Sequence, residues 1–185
     1  MVQMVFWALT QEQRLFFWAN RRPSHQGLNL WLSRWLGTIT HTGGATFTLL
    51  TALLGALAGS GMWGTAGWKA LAAVAISHIP VAIVKRKFRR LRPYQALDAV
   101  HTCKKPLRDS SFPSGHTTAV FAWLMPWLLV DYALLPILLP FAMLLGLSVA
   151  WSRMYLGLHY PSDVTVGAVL GSLTSVLVSA AWSFL

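Results

Sequence analysis

The chain has 185 residues, of which 55% are hydrophobic and only 11% are charged. A soluble domain carries about 25% charged residues, so this composition excludes an ordinary soluble protein and indicates one that lies in a membrane. The formal net charge of +10 reflects scarce acids, with 5 Asp and Glu against 15 Lys and Arg. The single cysteine, Cys103, excludes an intrachain disulfide and a multi-cysteine metal site.

Residues 1–43 have the pattern of amphipathic helices ahead of the first long apolar run. They lack the basic segment that begins a cleavable signal peptide, and the polar run Gln11–Arg14 interrupts their apolar residues. Trp7 and Trp18 suit the headgroup zone of a bilayer. The first helix fits equally well on a membrane surface or packed on the protein. We therefore expect an interfacial region at 1–43 and a membrane core at 44–185.

The rest of the chain contains long apolar runs separated by polar clusters. A spanning helix needs about 20 mostly apolar residues, and its backbone polar groups must bond internally. These rules predict an all-α fold, a polytopic bundle of about five transmembrane helices. The predicted spans are Thr46–Trp63, Trp68–Val84, Thr117–Val130, Leu134–Trp151 and Val164–Leu185. Alternating their directions places three polar clusters on one face of the membrane.

The first cluster, KRKFRRLRP, runs from Lys85 to Pro93 and holds six basic residues. In isolation it is typical of a basic segment attracted to anionic lipid. Arginine also offers a planar fork for bidentate phosphate binding, and lysine a compact point charge. Lys85 and Arg92 are therefore candidate phosphate ligands.

The second cluster is FPSGH, from Phe112 to His116. We expect Ser114 to cap the helix that follows. Gly115 lets a ligand approach the backbone, at a helix start whose N–H groups favour an anion. His116 is expected beside that site. A plain turn and helix cap explains the same residues without a ligand.

The third cluster, SRMYLGLHYPSD, runs from Ser152 to Asp163. Pro161 suits the first position of a helix, which puts Asp163 in its first turn, four residues after His159. A carboxylate there is placed to accept the Nδ1 proton of His159 and leave Nε2 free as a nucleophile or base. Alternatively, Asp163 caps the helix and His159 is passive. Arg153 ends the preceding span and adds a further cation. The two histidines, the carboxylate and the cations of the three clusters together suit phosphoryl transfer.

These three segments resemble the type 2 phosphatidic acid phosphatase (PAP2) superfamily of integral membrane lipid phosphatases. That family is marked by Lys-x6-Arg-Pro, then Pro-Ser-Gly-His, then Ser-Arg-x5-His-x3-Asp. All three patterns are complete here, in the same order, and begin at Lys85, Pro113 and Ser152. The resemblance covers roughly residues 45–185, and no motif of the family matches residues 1–43.

The resemblance implies a role for each matched residue. His159 would be the nucleophile, Asp163 its partner and His116 the general acid. The phosphoryl group would be held by the remaining members of the motifs, Lys85, Arg92, Ser114, Gly115 and Arg153. The family needs no metal or other cofactor for hydrolysis. The implied partners are a lipid phosphate and the bilayer, with no nucleic acid.

The sequence therefore predicts a lipid phosphatase that acts through a phosphohistidine. Phosphatidic acid, phosphatidylglycerophosphate and undecaprenyl diphosphate are all compatible substrates. A lipid phosphotransferase with the same intermediate is the alternative, and a non-enzymatic protein that binds anionic lipid is a weaker one. The vanadium haloperoxidases share the site pattern but are soluble.

The distribution of the Lys and Arg residues indicates which side of the membrane carries the three clusters. All of them except Lys69 fall on the face with the three clusters, so the positive-inside rule favours a cytoplasmic site. Many members of the family instead face outward. The small size and short loops favour a bacterial, multi-pass protein of the cell (inner) membrane.

Overall fold

The computed structural model describes residues 2–21, 28–102 and 107–184, so that Cys103 lies outside the described residues. These residues form helices and loops, with no strand among them. A 3₁₀ turn at Thr40–Gly43 joins α2 to α3, and two more 3₁₀ turns flank α7 and α8. The α-helices are α1 Val2–Asn20, α2 Leu28–Ile39, α3 Ala45–Ala58, α4 Gly61–Phe88, α5 Pro93–Ala96, α6 Gly115–Leu128, α7 Leu135–Tyr155 and α8 Pro161–Ala181.

Helix α6 is the centre of the bundle and packs against α4, α7 and α8. Small residues allow α8 to approach it closely. A Cβ atom added to Gly171 would lie 2.2 Å from the Thr118 carbonyl oxygen, and one added to Gly167 would lie 2.7 Å from that of Ser114. Side chains at these positions would force the helices apart. The two glycines thus set the start of α6 beside the start of α8, where two of the three motifs lie.

The count of five spans is not confirmed. In the described part of the chain, three helical segments are long and apolar enough to cross a membrane: Gly61–Ala96, Tyr132–Tyr155 and Pro161–Phe184. A fourth exists if Leu30–Gly43 and Ala45–Ala58, bent by 61° at their break, form one span. The predicted first span is interrupted after Ala58 by Gly59 and Ser60. The predicted third span is α6, whose 14 residues are too few to cross about 30 Å of hydrocarbon.

Helix α1 packs its C-terminal half against α7 and α8. Phe16 and Ala19 are buried, whereas Trp7, Leu15 and Trp18 are exposed. The buried Asn20 side chain donates from Nδ2 to the carbonyl oxygens of His101 and Tyr155, both at 2.9 Å, and of Met154 at 3.3 Å. Its Oδ1 accepts from the His101 N–H. One face of α1 thus packs on the protein while the other exposes apolar side chains.

Candidate active site

His159 lies in the short connection between α7 and α8 and is almost completely buried. Its Nδ1 is 2.7 Å from the Ser111 carbonyl oxygen. Because a carbonyl can only accept, Nδ1 carries the proton and Nε2 is unprotonated. The Nε2 atom faces Arg92, whose Nη1 is 3.2 Å away. The structure therefore directs the unprotonated nitrogen of His159 toward the first motif.

Asp163 is buried beneath His159 in the first turn of α8, as the sequence predicts. Its Oδ2 is 3.5 Å from His159 Nδ1, farther than the Ser111 carbonyl. The sequence predicts that Asp163 accepts the Nδ1 proton. In the structure the Ser111 carbonyl is the nearer acceptor, because the loop before α6 passes beside the imidazole. Asp163 Oδ2 also accepts from the Ser111 hydroxyl and, at 2.8 Å, from the Tyr160 N–H. The carboxylate fixes the residues that hold His159.

Arg90 connects this carboxylate to helix α1. Its Nη1 donates to Asp163 Oδ1 at 2.8 Å, and its Nη2 donates to Glu12 Oε2 at 2.7 Å. The guanidinium carbon lies 4.0 Å from the centre of the Tyr160 ring, a cation–π contact. Glu12 also accepts from the N–H and hydroxyl of Ser162. The N-terminal helix therefore reaches the groups beneath His159.

The two cations of the first motif converge on one carboxylate. Lys85 Nζ is 2.5 Å from Asp109 Oδ2, and Arg92 Nη2 is 2.7 Å from Asp109 Oδ1. Burial raises the pKa of Asp109, but the hydrogen bond and charge of Lys85 and the charge of Arg92 outweigh it and hold that pKa at about 2. Asp109 is therefore an anion throughout the physiological pH range.

Arg153 and His116 occupy another part of the site, beside the 3₁₀ turn at Thr40–Gly43. Arg153 is buried, and its Nη1 donates to Thr40 Oγ1 at 2.9 Å. A Cβ atom added to Gly43 would lie 2.9 Å from the His116 carbonyl oxygen and 3.3 Å from the His116 Cβ. The absence of a side chain at Gly43 therefore lets the turn pack against His116.

Ser114 is the N-cap of α6, as predicted, and accepts a hydrogen bond from the Thr117 N–H. Its own N–H donates to the Asp163 carbonyl oxygen at 3.0 Å, so that donor is already used. Gly115 begins α6, where an N–H lacks an intrahelical acceptor. A Cβ atom added to Gly115 would have only Val81 Cγ1 within 4 Å, at 4.0 Å. Gly115 therefore has open space beside its Cα, at a helix start that favours an anion.

Burial governs the protonation of His159. Burial is the largest cause, and together with the positive charges of Arg153 and Arg92 it lowers the pKa of His159 to about 3, although the hydrogen bond and charge of Asp163 oppose the shift. His159 is consequently neutral at pH 7, which is the form that a nucleophile requires. No group of three or more His, Cys, Asp or Glu in the described part of the chain is placed to hold a metal ion.

Several residues of the site are not among the defining positions of the three motifs. Arg90 lies within the first motif, but nothing in its spacing sets it apart from the other basic residues of that run. Asp109 offered one signal, since it is one of only five acids in the chain. The other missed contributors are Glu12, Thr40 and Ser111.

Comparison with known proteins supports the resemblance. A model of the PAP2 superfamily matches residues 66–184, which include all three motifs. The decaprenylphosphoryl-5-phosphoribose phosphatase of Mycobacterium tuberculosis is 36% identical over an alignment of 135 residues that covers 71% of this chain and 70% of that protein.

Two solved structures share the fold. LpxE of Aquifex aeolicus has a TM-score of 0.71 and 23% identity, over 91% of this chain and 94% of that one. A PAP2-type phosphatidylglycerolphosphate phosphatase from Bacillus subtilis has a TM-score of 0.74 and 21% identity, over 96% of this chain and 87% of that one. The sequence match, the motifs and the shared fold agree: the chain belongs to the PAP2 superfamily and is a multi-pass membrane phosphatase of the PAP2 lipid phosphatase type.

Proposed function

We propose that this protein removes a terminal phosphate from a membrane lipid through a phosphohistidine at His159. The observation that carries the proposal is the state of the imidazole. Its Nδ1 proton is held by the Ser111 carbonyl at 2.7 Å, and its Nε2 faces Arg92 at 3.2 Å. A buried, neutral imidazole whose Nε2 faces Arg92, and on which the charges of Arg92 and Arg153 act, is suited to attack phosphorus.

In the first step, His159 Nε2 forms a bond to phosphorus while the bond from phosphorus to the leaving oxygen breaks. Burial, with the charges of Arg153 and Lys85, lowers the pKa of His116 to about 3, so His116 takes up its proton together with the anionic phosphate, whose negative charge raises that pKa. His116 then gives this proton to the leaving oxygen. Lys85, Arg92 and Arg153, with the Gly115 N–H, neutralise charge on the oxygens of the transferring group. Ser114, whose N–H is donated to the Asp163 carbonyl, supports this cradle as the N-cap of α6.

In the second step, a water oxygen bonds to phosphorus and the bond to His159 Nε2 breaks. His116, now neutral, takes the proton of the water, which restores both histidines and releases inorganic phosphate. Asp163 stays ionised and steadies the imidazole while it carries positive charge. These roles use only groups of this chain and water.

The position of the site at one end of the bundle supports a lipid substrate. A lipid can keep its chains in the bilayer while its phosphate reaches His159. The sequence relative from Mycobacterium tuberculosis is named for a polyprenyl-linked phosphate. We therefore place polyprenyl phosphates and diphosphates first, ahead of phosphatidylglycerophosphate and phosphatidic acid. We assign the protein to the cell membrane, with the site on the cytoplasmic side, from the distribution of Lys and Arg.

The test is phosphate release by detergent-purified protein from that panel of lipids, with EDTA and no added metal. We expect the wild type to release phosphate and His159→Gln to release none. The control His101→Gln changes a histidine at an exposed position and should match the wild type. Acid-labile phosphate on the wild-type protein would identify the phosphohistidine. Transfer to a lipid hydroxyl in place of release would favour the phosphotransferase, and neither release nor transfer would leave a lipid-binding protein.

A further inference from the structure

The carboxylate of Asp109 occupies the cations that the proposed mechanism gives to the substrate. Oδ2 is 2.5 Å from Lys85 Nζ and Oδ1 is 2.7 Å from Arg92 Nη2. One anionic group thus uses two oxygens to bridge the same two side chains that would bridge two oxygens of a phosphate. The role assigned to Lys85 and Arg92 rests on the proposed function.

Every N–H donor of the Arg92 guanidinium already has an acceptor, so a phosphate cannot bind Arg92 without displacing one of them. A guanidinium has five N–H donors. Here Nε donates to the Asp109 carbonyl, Nη1 to the Leu158 carbonyl and His159 Nε2, and Nη2 to Asp109 Oδ1 and the Ser110 carbonyl. A phosphate oxygen can therefore reach Nη2 only by replacing one of its present acceptors. The Asp109 carboxylate is the mobile one, because the other is a backbone carbonyl.

Exposure makes the exchange feasible. The Arg92 side chain is fully buried, whereas the Asp109 side chain is 52% exposed. A rotation about the Asp109 side-chain bonds is enough to release the cations. The same carboxylate borders a cavity of about 380 Å³ whose wall contains Arg86, Arg89 and Arg108. The wall of this cavity therefore offers other cations to a displaced carboxylate.

We propose that Asp109 is a specificity-determining residue, a built-in competitor that an incoming phosphate must displace from Lys85 and Arg92. The competitor carries a single negative charge. A terminal phosphate with two charges and three free oxygens outcompetes it, since both cations bind the more highly charged anion more strongly. A phosphodiester headgroup carries one charge, has no such advantage, and is kept off the cations. The site thereby rejects the abundant diester lipids of its own membrane.

A purely structural role for Asp109 makes the opposite prediction. If the carboxylate only held Arg92 in place, its loss would loosen the cation and weaken phosphate binding. If it competes, its loss frees both cations and strengthens phosphate binding. Asp109→Asn separates the two because the amide oxygen can still accept from Arg92 Nη2 while the charge is removed. Asp98→Asn is the matched control, an exposed acid in the same polar segment.

The experiment measures inhibition by inorganic phosphate, and separately by phosphatidylglycerol in mixed micelles, for the wild type and both variants. For Asp109→Asn we expect the inhibition constant of phosphate to fall at least tenfold and phosphatidylglycerol to become an inhibitor. Asp98→Asn should match the wild type in both. An unchanged or higher inhibition constant for phosphate in Asp109→Asn would overturn the proposal.

A second measurement works without turnover. The thermal midpoint of each purified protein is followed as inorganic phosphate is added, since a ligand that binds the folded state raises it. The midpoint of Asp109→Asn, and of a second variant Asp109→Ser, should rise at lower phosphate concentrations than that of the wild type. Equal responses of the wild type and both variants to phosphate would refute the proposed competition by Asp109, even if lipid hydrolysis is observed. A shifted response supports it even if the lipid panel gives no hydrolysis, so the two proposals fail separately.

Discussion

Arg90 and Asp163 form a salt bridge of 2.8 Å beneath the imidazole of His159, in which the carboxylate is fully buried and the guanidinium partly exposed. The other end of the guanidinium is paired with Glu12 of α1 at 2.7 Å. The Arg90 side chain thus joins Glu12, which lies 78 positions before it, to Asp163, which lies 73 positions after it. Arg90 is placed to act on the reaction through Asp163 and is a positioning residue.

Replacement of Arg90 should therefore lower turnover more than substrate binding. In Arg90→Gln we expect kcat to fall about 10–100-fold, because small displacements of a reacting group have effects of that size. KM should change little, since Arg90 does not belong to the phosphate cradle. Glu12→Gln should show the same pattern with a smaller loss. Steady-state kinetics on the best lipid substrate provide the measurement.

Two further variants control this prediction. Lys87→Gln removes an exposed cation from the same basic run and should leave kcat unchanged. Arg90→Lys keeps the charge and should recover part of the activity. Equal losses in Lys87→Gln and Arg90→Gln would show that only the net charge of the run matters.

The neutral state of His159 predicts a pH dependence of stability. Its pKa is about 3 in the folded protein and about 6.5 when unfolded. Between these values the unfolded chain binds the proton more tightly, so acidification favours unfolding. The contribution of His159 to the free energy of unfolding is complete above about pH 6.5. It is lost progressively as the pH falls toward 3, with a slope of at most about 1.4 kcal/mol per pH unit.

The corresponding measurement is the thermal midpoint of the purified protein between pH 7.5 and 4.5. The midpoint should fall on acidification, and His159→Gln should reduce the slope. His101→Gln, at an exposed position, should keep the wild-type slope. Identical slopes in all three proteins would contradict a depressed pKa at His159.

The contact between α6 and α8 predicts a strong effect at Gly171. A Cβ atom there would lie 2.2 Å from the Thr118 carbonyl oxygen, so Gly171→Ala must separate the helices. We expect a loss of about 1–3 kcal/mol of stability together with lower activity, because the same contact sets the start of α6 beside the start of α8. Gly37→Ala, where nothing lies within 4 Å of an added Cβ, should be neutral or slightly stabilising. Thermal midpoints compare the two.

Asn20 provides a test of how the N-terminal region attaches to the core. Its side chain bonds the backbone of His101, Met154 and Tyr155. Asn20→Ala would remove these hydrogen bonds of a buried side chain, two of them to the backbone of His101, at a cost of about 1–3 kcal/mol. The control Gln13→Ala lies on the exposed face of α1. Faster proteolysis within residues 1–43 in Asn20→Ala alone is the expected result, and equal rates would show that α1 is held by other contacts.

Local features of this protein were readable from its sequence because they depend on short spacings. Apolar runs and scarce charge determined an all-α membrane fold. Pro161 determined the start of α8, and the spacing of four residues placed Asp163 one turn beyond His159. Ser114 caps α6 for the same local reason. Such features arise within one or two helical turns, where backbone geometry leaves few alternatives.

The tertiary structure decided the partners of those residues and the lengths of the spans. The Ser111 carbonyl is the nearest acceptor of His159 Nδ1 because the loop before α6 passes beside it. Asp109 bridges Lys85 and Arg92, and Glu12 reaches Arg90 across 78 positions. No periodicity marks such pairs, since they form only when helices distant in sequence pack together. The sequence determined which chemical groups were present, and the packing of α1, α4, α6 and α8 determined which of them meet.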